Sequence, residues 1–275
     1  MQISVLMDDS VSSASFSCEH GLSLYLTTPG HKVLFDTGAS GLFLENAERL
    51  GLDLADVDFA VLSYGHNDHG GGLRAFLDAC PRAKVYMQAA ALEPHFTRRA
   101  SGKVEPIGLD PALRGEPRVV LLTGDQVLEG GFTIFSSVPG DKLRPQTQNT
   151  LLTGTAEDLR PDPFLHEQDL LYQEGDTAVL IAGCAHRGIL NILERAVELA
   201  GRPMDAVIGG FHLSNPRDGG CVPQETLDAI AGALLRYPGT TYYTCHCTGP
   251  AGFEGLKRTM GDRIRWIGAG AQFQV

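Results

Sequence analysis

Ala60-Val61-Leu62-Ser63-Tyr64-Gly65-His66-Asn67-Asp68-His69 is the stretch of this 275-residue chain on which its fold is read. An apolar run predicts a buried strand over Phe59–Leu62, which gives way to a loop holding two imidazoles and a carboxylate. The same arrangement recurs three times. Val179-Leu180-Ile181-Ala182 leads into Gly183-Cys184-Ala185-His186, Ala206-Val207-Ile208 into Gly209-Gly210-Phe211-His212, and Thr241-Tyr242-Tyr243-Thr244 into Cys245-His246-Cys247. Five of the nine histidines therefore lie in loops at predicted strand ends. If these strands share a sheet and a direction, their C-terminal ends converge on one edge, where layered α/β proteins bind ligands. Imidazole and carboxylate together are ligands for zinc, iron or manganese.

Outward from these loops, short β-rich runs alternate with helical patterns. Ile3 to Met7, Leu22 to Thr27 and Lys32 to Phe35 read as strands, the last two joined by the Pro29-Gly30 turn. Phe43, Ala47 and Leu50 form a helical stripe, and a second helix begins at Leu73. Val119 to Leu122 and Phe132 to Phe135 are further strands. In the second half, helices with inward stripes Ile189/Leu193/Ala196/Ala200 and Leu227/Ile230/Ala231/Leu234 follow strands, and Phe253 to Met260 is a last helix. Glu93 to Pro117 and Pro139 to Pro163 show no clear period and read as irregular surface segments. No linker-like stretch divides the sequence, so residues 1–275 are expected to form one domain in which sheets are layered with helices.

Composition narrows the function classes. With 22 Lys+Arg against 33 Asp+Glu, the net charge of -11 argues against a coat for nucleic acid or anionic membrane. No apolar run approaches the ~20 residues of a membrane span, and no signal peptide is visible at the N-terminus. The six cysteines are scattered and form no disulfide framework. A cytoplasmic protein acting on a small molecule is the expectation; oligomeric state is not legible. Gly70-Gly71-Gly72 lacks the Lys-Ser/Thr of a phosphate loop, and no G-x-S-x-G elbow occurs.

The residues around the histidines resemble the metallo-β-lactamase superfamily, whose signature H-x-H-x-D-H stands here as Tyr64-x-His66-x-Asp68-His69. Its supporting Asp-Thr-Gly is Asp36-Thr37-Gly38. Within the superfamily the chain is similar to the subgroup named for a dihydropterin–ribofuranosylaminobenzene phosphate synthase. The matching motifs are Glu19-His20-Gly21-Leu22-Ser23, Asp162-Pro163-Phe164 with Glu167-Gln168, Gly183-Cys184-Ala185-His186, Gly209-Gly210-Phe211-His212-Leu213 and His246-Cys247-Thr248-Gly249. The resemblance implies an α/β (α+β) four-layer αββα sandwich, two mixed sheets with helices outside. It also implies two adjacent metal positions, His66 and His186 at the first and Asp68, His69 and His246 at the second. One or two divalent ions would bind, zinc before iron or manganese, and would yield a metal-bound hydroxide at neutral pH. Asp68 is expected to orient that water, and Asp36 to hold the signature loop from behind the ligands. His212 is expected to bind metal or act on substrate, His20 and Arg187 to contact substrate, and Lys142 or Arg144 to offer charge to a substrate phosphate.

The chain departs from the pattern at position 64, where tyrosine replaces the first histidine. A phenol, with a pKa near 10, binds metal only when the ion displaces its proton, so the expectation is a single metal at the second position or Tyr64 as a weak or phenolate ligand. Cys184 and Cys247 flank ligands and read as small buried side chains. Three functions stay open on these grounds: a hydrolase-type enzyme for a small ester, lactone or phosphoester; a transferase joining a dihydropterin to an aminobenzene ribofuranosyl phosphate; and a non-catalytic ligand-binding relative.

Overall fold

The computed structural model describes residues 1–155, 157–215 and 220–275. The chain forms two compact units, each gathered from separated stretches. Met1–Gly124, Leu151–Gln168 and Ile267–Val275 make the first, Asp125–Thr150 and Asp169–Trp266 the second.

The first unit is built on a seven-stranded sheet. From edge to edge its strands are Gln272–Gln274, Gln2–Met7, Ser23–Thr27, Lys32–Phe35, Phe59–Val61, Lys84–Gln88 and Val119–Leu122. The first three pairings are antiparallel and the last three parallel. Val33-Leu34-Phe35 and Phe59-Ala60-Val61 are buried throughout, the continuous apolar run typical of a parallel strand in a layered protein. Helix Leu42–Arg49 turns Phe43 and Ala47 into the core as the stripe requires. It also buries Asn46, whose amide donates to Leu6 O (2.7 Å) and Ser17 O (2.8 Å) and so satisfies carbonyls the apolar face cannot. Helix Leu73–Ala79 adds Leu73, Phe76 and Leu77, at i, i+3 and i+4, to the same cluster as Leu34, Ala60, Leu62 and Val85.

The two segments read as irregular are in part ordered. His95–Arg98, Val104–Pro106, Leu151–Thr155 and Asp158–Pro161 form a four-stranded antiparallel sheet in the first unit. These strands escaped the sequence reading because they are short and largely solvated. Asp158–Pro161, for example, buries none of its residues and carries no apolar alternation.

The second unit also holds a seven-stranded sheet, ordered Ile264–Trp266, Thr241–Thr244, Ala206–Gly209, Thr177–Ile181, Gln168–Glu174, Phe132–Ser136 and Gln126–Val127. The first four strands run parallel, and Thr177–Ile181 pairs antiparallel with Gln168–Glu174. Both large sheets are therefore mixed. Helix Ile189–Ala200 sends Ile189, Ile192, Leu193 and Ala196 into the core, and helix Gln224–Leu234 sends Leu227, Ile230, Ala231 and Leu234. Helix Gly249–Met260 starts four residues earlier than its apolar stripe, with Pro250 in its first turn.

The histidine-bearing strands do not all share a sheet. Those before His186, His212 and His246 are parallel neighbours in the second unit, whereas Phe59–Val61 belongs to the first. Apolar content marks each run as a buried strand, but partner choice depends on long-range pairing that the run itself does not encode. Among the described residues, no helix is long and apolar enough to cross a membrane.

Candidate metal centre

In the first unit, Lys32–Phe35 and Phe59–Val61 are adjacent and parallel, so the residues just past their C-terminal ends meet. Asp36 and Ser63 are those residues. Asp36 is buried and adopts φ 61, a conformation uncommon outside glycine. Its Oδ1 accepts the Ser63 N–H (2.7 Å), while Oδ2 accepts the Ser63 hydroxyl (2.6 Å) and Nδ1–H of His69 (2.6 Å). A carboxylate only accepts, so the proton of neutral His69 is fixed on Nδ1 and the lone pair on Nε2. The His69 carbonyl is held in turn by the Thr37 N–H (2.7 Å) and hydroxyl (3.0 Å).

Asp68 Oδ2 lies 4.0 Å from His69 Nε2, wider than the spacing of about 3.3 Å between neighbouring ligands of a tetrahedral ion, so a small turn of the Asp68 side chain brings both onto one ion. A carboxylate beside an imidazole whose far nitrogen is tied to a second carboxylate is the donor set a divalent ion requires. The residues present therefore fit such an ion. His20 is also here, its Nδ1 2.8 Å from Asp9 Oδ2 and its Nε2 3.4 Å from Asp68 Oδ2. Glu19 pins the neighbouring turn, accepting from the N–H groups of Ala39 (3.1 Å) and Ser40 (3.0 Å) and from the Ser40 hydroxyl (2.8 Å).

Tyr64 is buried with its ring centre 4.7 Å from that of His66 and 4.3 Å from that of His69. The substituted position thus lies among the histidines of its own unit. Between Tyr64 and His66, a Cβ at Gly65 would stand 2.3 Å from Ala91 O, so only glycine passes.

In the second unit, three parallel neighbours deliver His186, His212 and His246 past their C-terminal ends. His186 and His246 are buried, and the ring centres of His186 and His212 are 4.4 Å apart. Ala185, His212 and His246 adopt φ of 57, 50 and 48, so each loop holds a non-glycine residue in the left-handed region. Thr248 braces the loops: its hydroxyl accepts the Phe211 N–H (2.8 Å) and lies 2.5 Å from that of Thr244. Cys247 Sγ accepts the His212 N–H (3.3 Å) and lies 3.6 Å from Cys184 O. Burial opposes ionisation of this thiol. Hydrogen bonds with Cys184 and His212, together with the imidazoles of His246 and His212, nevertheless hold it well below the usual thiol range. A Cβ at Gly210 would stand 2.4 Å from that sulfur, which accounts for the glycine.

The basic groups are engaged with the protein itself. Arg187 donates to Val138 O (3.1 Å) and Gly140 O (3.4 Å), and Arg144 to His186 O (3.0 Å). Lys142 pairs with Glu194 at 2.8 Å.

Sequence reasoning missed a second cluster in the first unit. His95, Asp162 and His166 are buried beside His66, and the ligand atoms of the four lie within 4.8 Å of one another. Asp162-Pro163-Phe164 was visible as a motif. His95 lay in a segment without periodicity and His166 between the two quoted parts of that motif, so only the folding of the small sheet could bring them in.

The family profile described as the metallo-beta-lactamase superfamily matches residues 17–196. The chain belongs to that superfamily. It is 24% identical over 258 residues to the 7,8-dihydropterin-6-methyl-4-(beta-D-ribofuranosyl)-aminobenzene-5'-phosphate synthase of Methanocaldococcus jannaschii, covering 86% of this chain and 83% of the relative. Among solved structures, a metal-dependent hydrolase of the beta-lactamase superfamily matches with TM-score 0.82 and 28% identity over 100% of this chain and 99% of the other. Zinc-bound PqqB from Methylobacterium extorquens matches with TM-score 0.59 and 13% identity over 100% of both chains, a likeness of fold. The metallo-β-lactamase fold expected from the signature is the fold the chain has, and the superfamily binds divalent metals.

Proposed function

We propose that the chain is a metal-dependent hydrolase for a small ester, lactone or phosphoester. The observation that carries this reading is the buried Asp36–His69 pair at 2.6 Å, which leaves His69 Nε2 as a lone-pair donor beside the Asp68 carboxylate. His246 is assigned as the third ligand on the strength of the superfamily pattern, as is His186 with His66 at the other position. Zinc is the ion proposed, with iron and manganese as the other candidates for an imidazole–carboxylate site. A bound divalent ion supplies Lewis acidity, which acidifies water and polarises a substrate oxygen.

The protein's own groups do the rest. Asp36 fixes the tautomer and orientation of His69. Asp68 orients the attacking water, and His20, its Nε2 3.4 Å from Asp68 Oδ2, takes up the proton that this water releases. Asp9 holds His20 from behind through Nδ1, and the exposed His20 ring exchanges the proton with solvent. His212, its ring centre 4.4 Å from that of His186, is the group proposed to act on substrate.

A panel of phosphodiesters, carboxylic esters and lactones, assayed with zinc and again after exhaustive chelation, tests the reading. Turnover that appears with the ion and vanishes with the chelator is expected; turnover undiminished by chelation would reject it. His20→Ala should lower kcat more than KM and alter the pH profile if that ring carries the proton.

One second reading has specific support, the 24% identity to the synthase across 86% of this chain. It makes the chain a transferase joining a dihydropterin to an aminobenzene ribofuranosyl phosphate. Product from those two compounds, with none from the hydrolytic panel, would favour it.

A further inference from the structure

The cluster beside the signature loop lies wholly in the first unit and is reached by three separate segments. His66 follows Phe59–Val61, His95 opens the strand His95–Arg98, and Asp162 and His166 follow Asp158–Pro161. Backbone hydrogen bonds join these segments. Asn67 N–H donates to Ile107 O (2.8 Å), Ile107 N–H to His95 O (2.9 Å), and Gln168 N–H to Ser63 O (2.7 Å). All four side chains are buried, with His66 4%, His95 3%, Asp162 7% and His166 1% exposed.

Counting protons separates the four. His166 Nδ1 accepts the Gly65 N–H (2.9 Å), so a neutral His166 carries its proton on Nε2 and donates it to Asp162 Oδ2 (3.1 Å). It has no lone pair left for a cation. His95 is the opposite case. Its Nε2 lies 3.1 Å from Ala90 O, a carbonyl that only accepts, so Nε2 carries the proton. The Nδ1 lone pair of a neutral His95 then faces Asp162 Oδ2 at 2.9 Å. Two lone-pair atoms at that distance repel unless a positive charge lies beside both.

A proton would supply that charge, and so would a metal ion. Three features match a metal. An imidazole whose other N–H is tied to a backbone carbonyl is the usual disposition of a ligating histidine. The carboxylate is fixed as ligating carboxylates are, its Oδ1 accepting the Phe164 N–H (2.7 Å). Finally, bonds of about 2.0–2.1 Å give adjacent ligand atoms a spacing of about 2.9 Å in octahedral geometry and about 3.3 Å in tetrahedral geometry. The 2.9 Å between His95 Nδ1 and Asp162 Oδ2 equals the octahedral value and is also an ordinary N–H···O hydrogen-bond length, so a proton and an ion fit the same spacing.

We propose that His66, His95 and Asp162 bind a divalent cation inside the first unit, at a site separate from that of Asp68 and His69, with His166 orienting the carboxylate. Two imidazoles and one carboxylate suit zinc, iron(II) or manganese(II). This site claims the His66 ring that the superfamily pattern pairs with His186, so the two assignments of His66 are alternatives. It does not rest on the hydrolase reading.

The experiment is a zinc count on the full chain after chelation and reloading, by mass spectrometry of the desalted protein. His95→Ala and Asp162→Asn should each bind one equivalent fewer than the parent, whereas His246→Ala should keep that equivalent. Wild-type stoichiometry in His95→Ala and Asp162→Asn would overturn the proposal and leave a proton as the shared charge. If either variant fails to fold, crystals of the unaltered chain grown with zinc decide the matter. An anomalous peak between His95 Nδ1 and Asp162 Oδ2 supports the site, and its absence refutes it. Loss of zinc binding or turnover in His246→Ala bears on the proposed hydrolase alone.

Discussion

Asp36→Asn changes almost nothing in volume and removes the charge that organises His69. The buried carboxylate accepts three hydrogen bonds of 2.6–2.7 Å, one at Oδ1 and two at Oδ2. An amide has one oxygen. If that oxygen takes the Oδ2 position, the new NH2 opposes the Ser63 N–H. If it takes the Oδ1 position, both the Ser63 hydroxyl and His69 Nδ1 lose their acceptor. The milder choice still loses one hydrogen bond and buries an unsatisfied donor, which costs about 1–3 kcal/mol. It also leaves His69 Nδ1–H donating to a neutral amide oxygen instead of a carboxylate, which weakens the hold on that ring, and weakening a partner of this kind lowers metal affinity by roughly 10–100-fold. Urea unfolding of the metal-free variant measures the first quantity, and competition with a chromophoric zinc chelator the second. The expected result is loss in both. Metal-free stability within about 0.5 kcal/mol of the parent, the range of an ordinary surface substitution, together with unchanged zinc affinity, would show that Asp36 does not organise the site.

Tyr64→His should raise zinc stoichiometry by restoring a neutral imidazole beside His66 and His69; an unchanged count would mean that position 64 does not face a metal. Gly65→Ala forces a Cβ to within 2.3 Å of Ala91 O and should cost about 1–3 kcal/mol in urea unfolding, with a near-neutral effect refuting the packing argument. Tyr25 is pushed up to about 12 by burial and by the charges of Asp56, Asp53 and Asp58. Its contribution to stability is therefore whole below the unfolded value near 10 and is lost as pH rises through about 12. Absorbance titration of the parent against Tyr25→Phe checks this, and a Tyr25 phenol ionising near 10 would contradict it.

Much of this protein was legible in one dimension. Runs such as Lys32–Phe35 and Thr177–Ile181 declare themselves as strands because apolar side chains must leave water whatever their partners turn out to be. The stripes of Ile189–Ala200 and Gln224–Leu234 declare helices on the same ground. Asp68 and His69 were readable because a strand end followed by imidazole and carboxylate is a local pattern, and Asp36 through the resemblance of Asp36-Thr37-Gly38 to the superfamily's Asp-Thr-Gly.

Tertiary structure alone decided the rest. Which sheet a strand joins depends on pairings between residues distant in the chain, so Phe59–Val61 could not be separated in advance from the strands before His186, His212 and His246. Nor does any local pattern mark His95, and His166 lies unremarked between Asp162-Pro163-Phe164 and Glu167-Gln168. Their importance comes from a small, largely solvated sheet that closes by backbone hydrogen bonding rather than by an apolar face, and from one buried carboxylate, Asp162, that both rings reach. Burial has a signature in composition because it acts on one residue at a time. Coordination depends on the distances between several, and those exist only once the chain has folded.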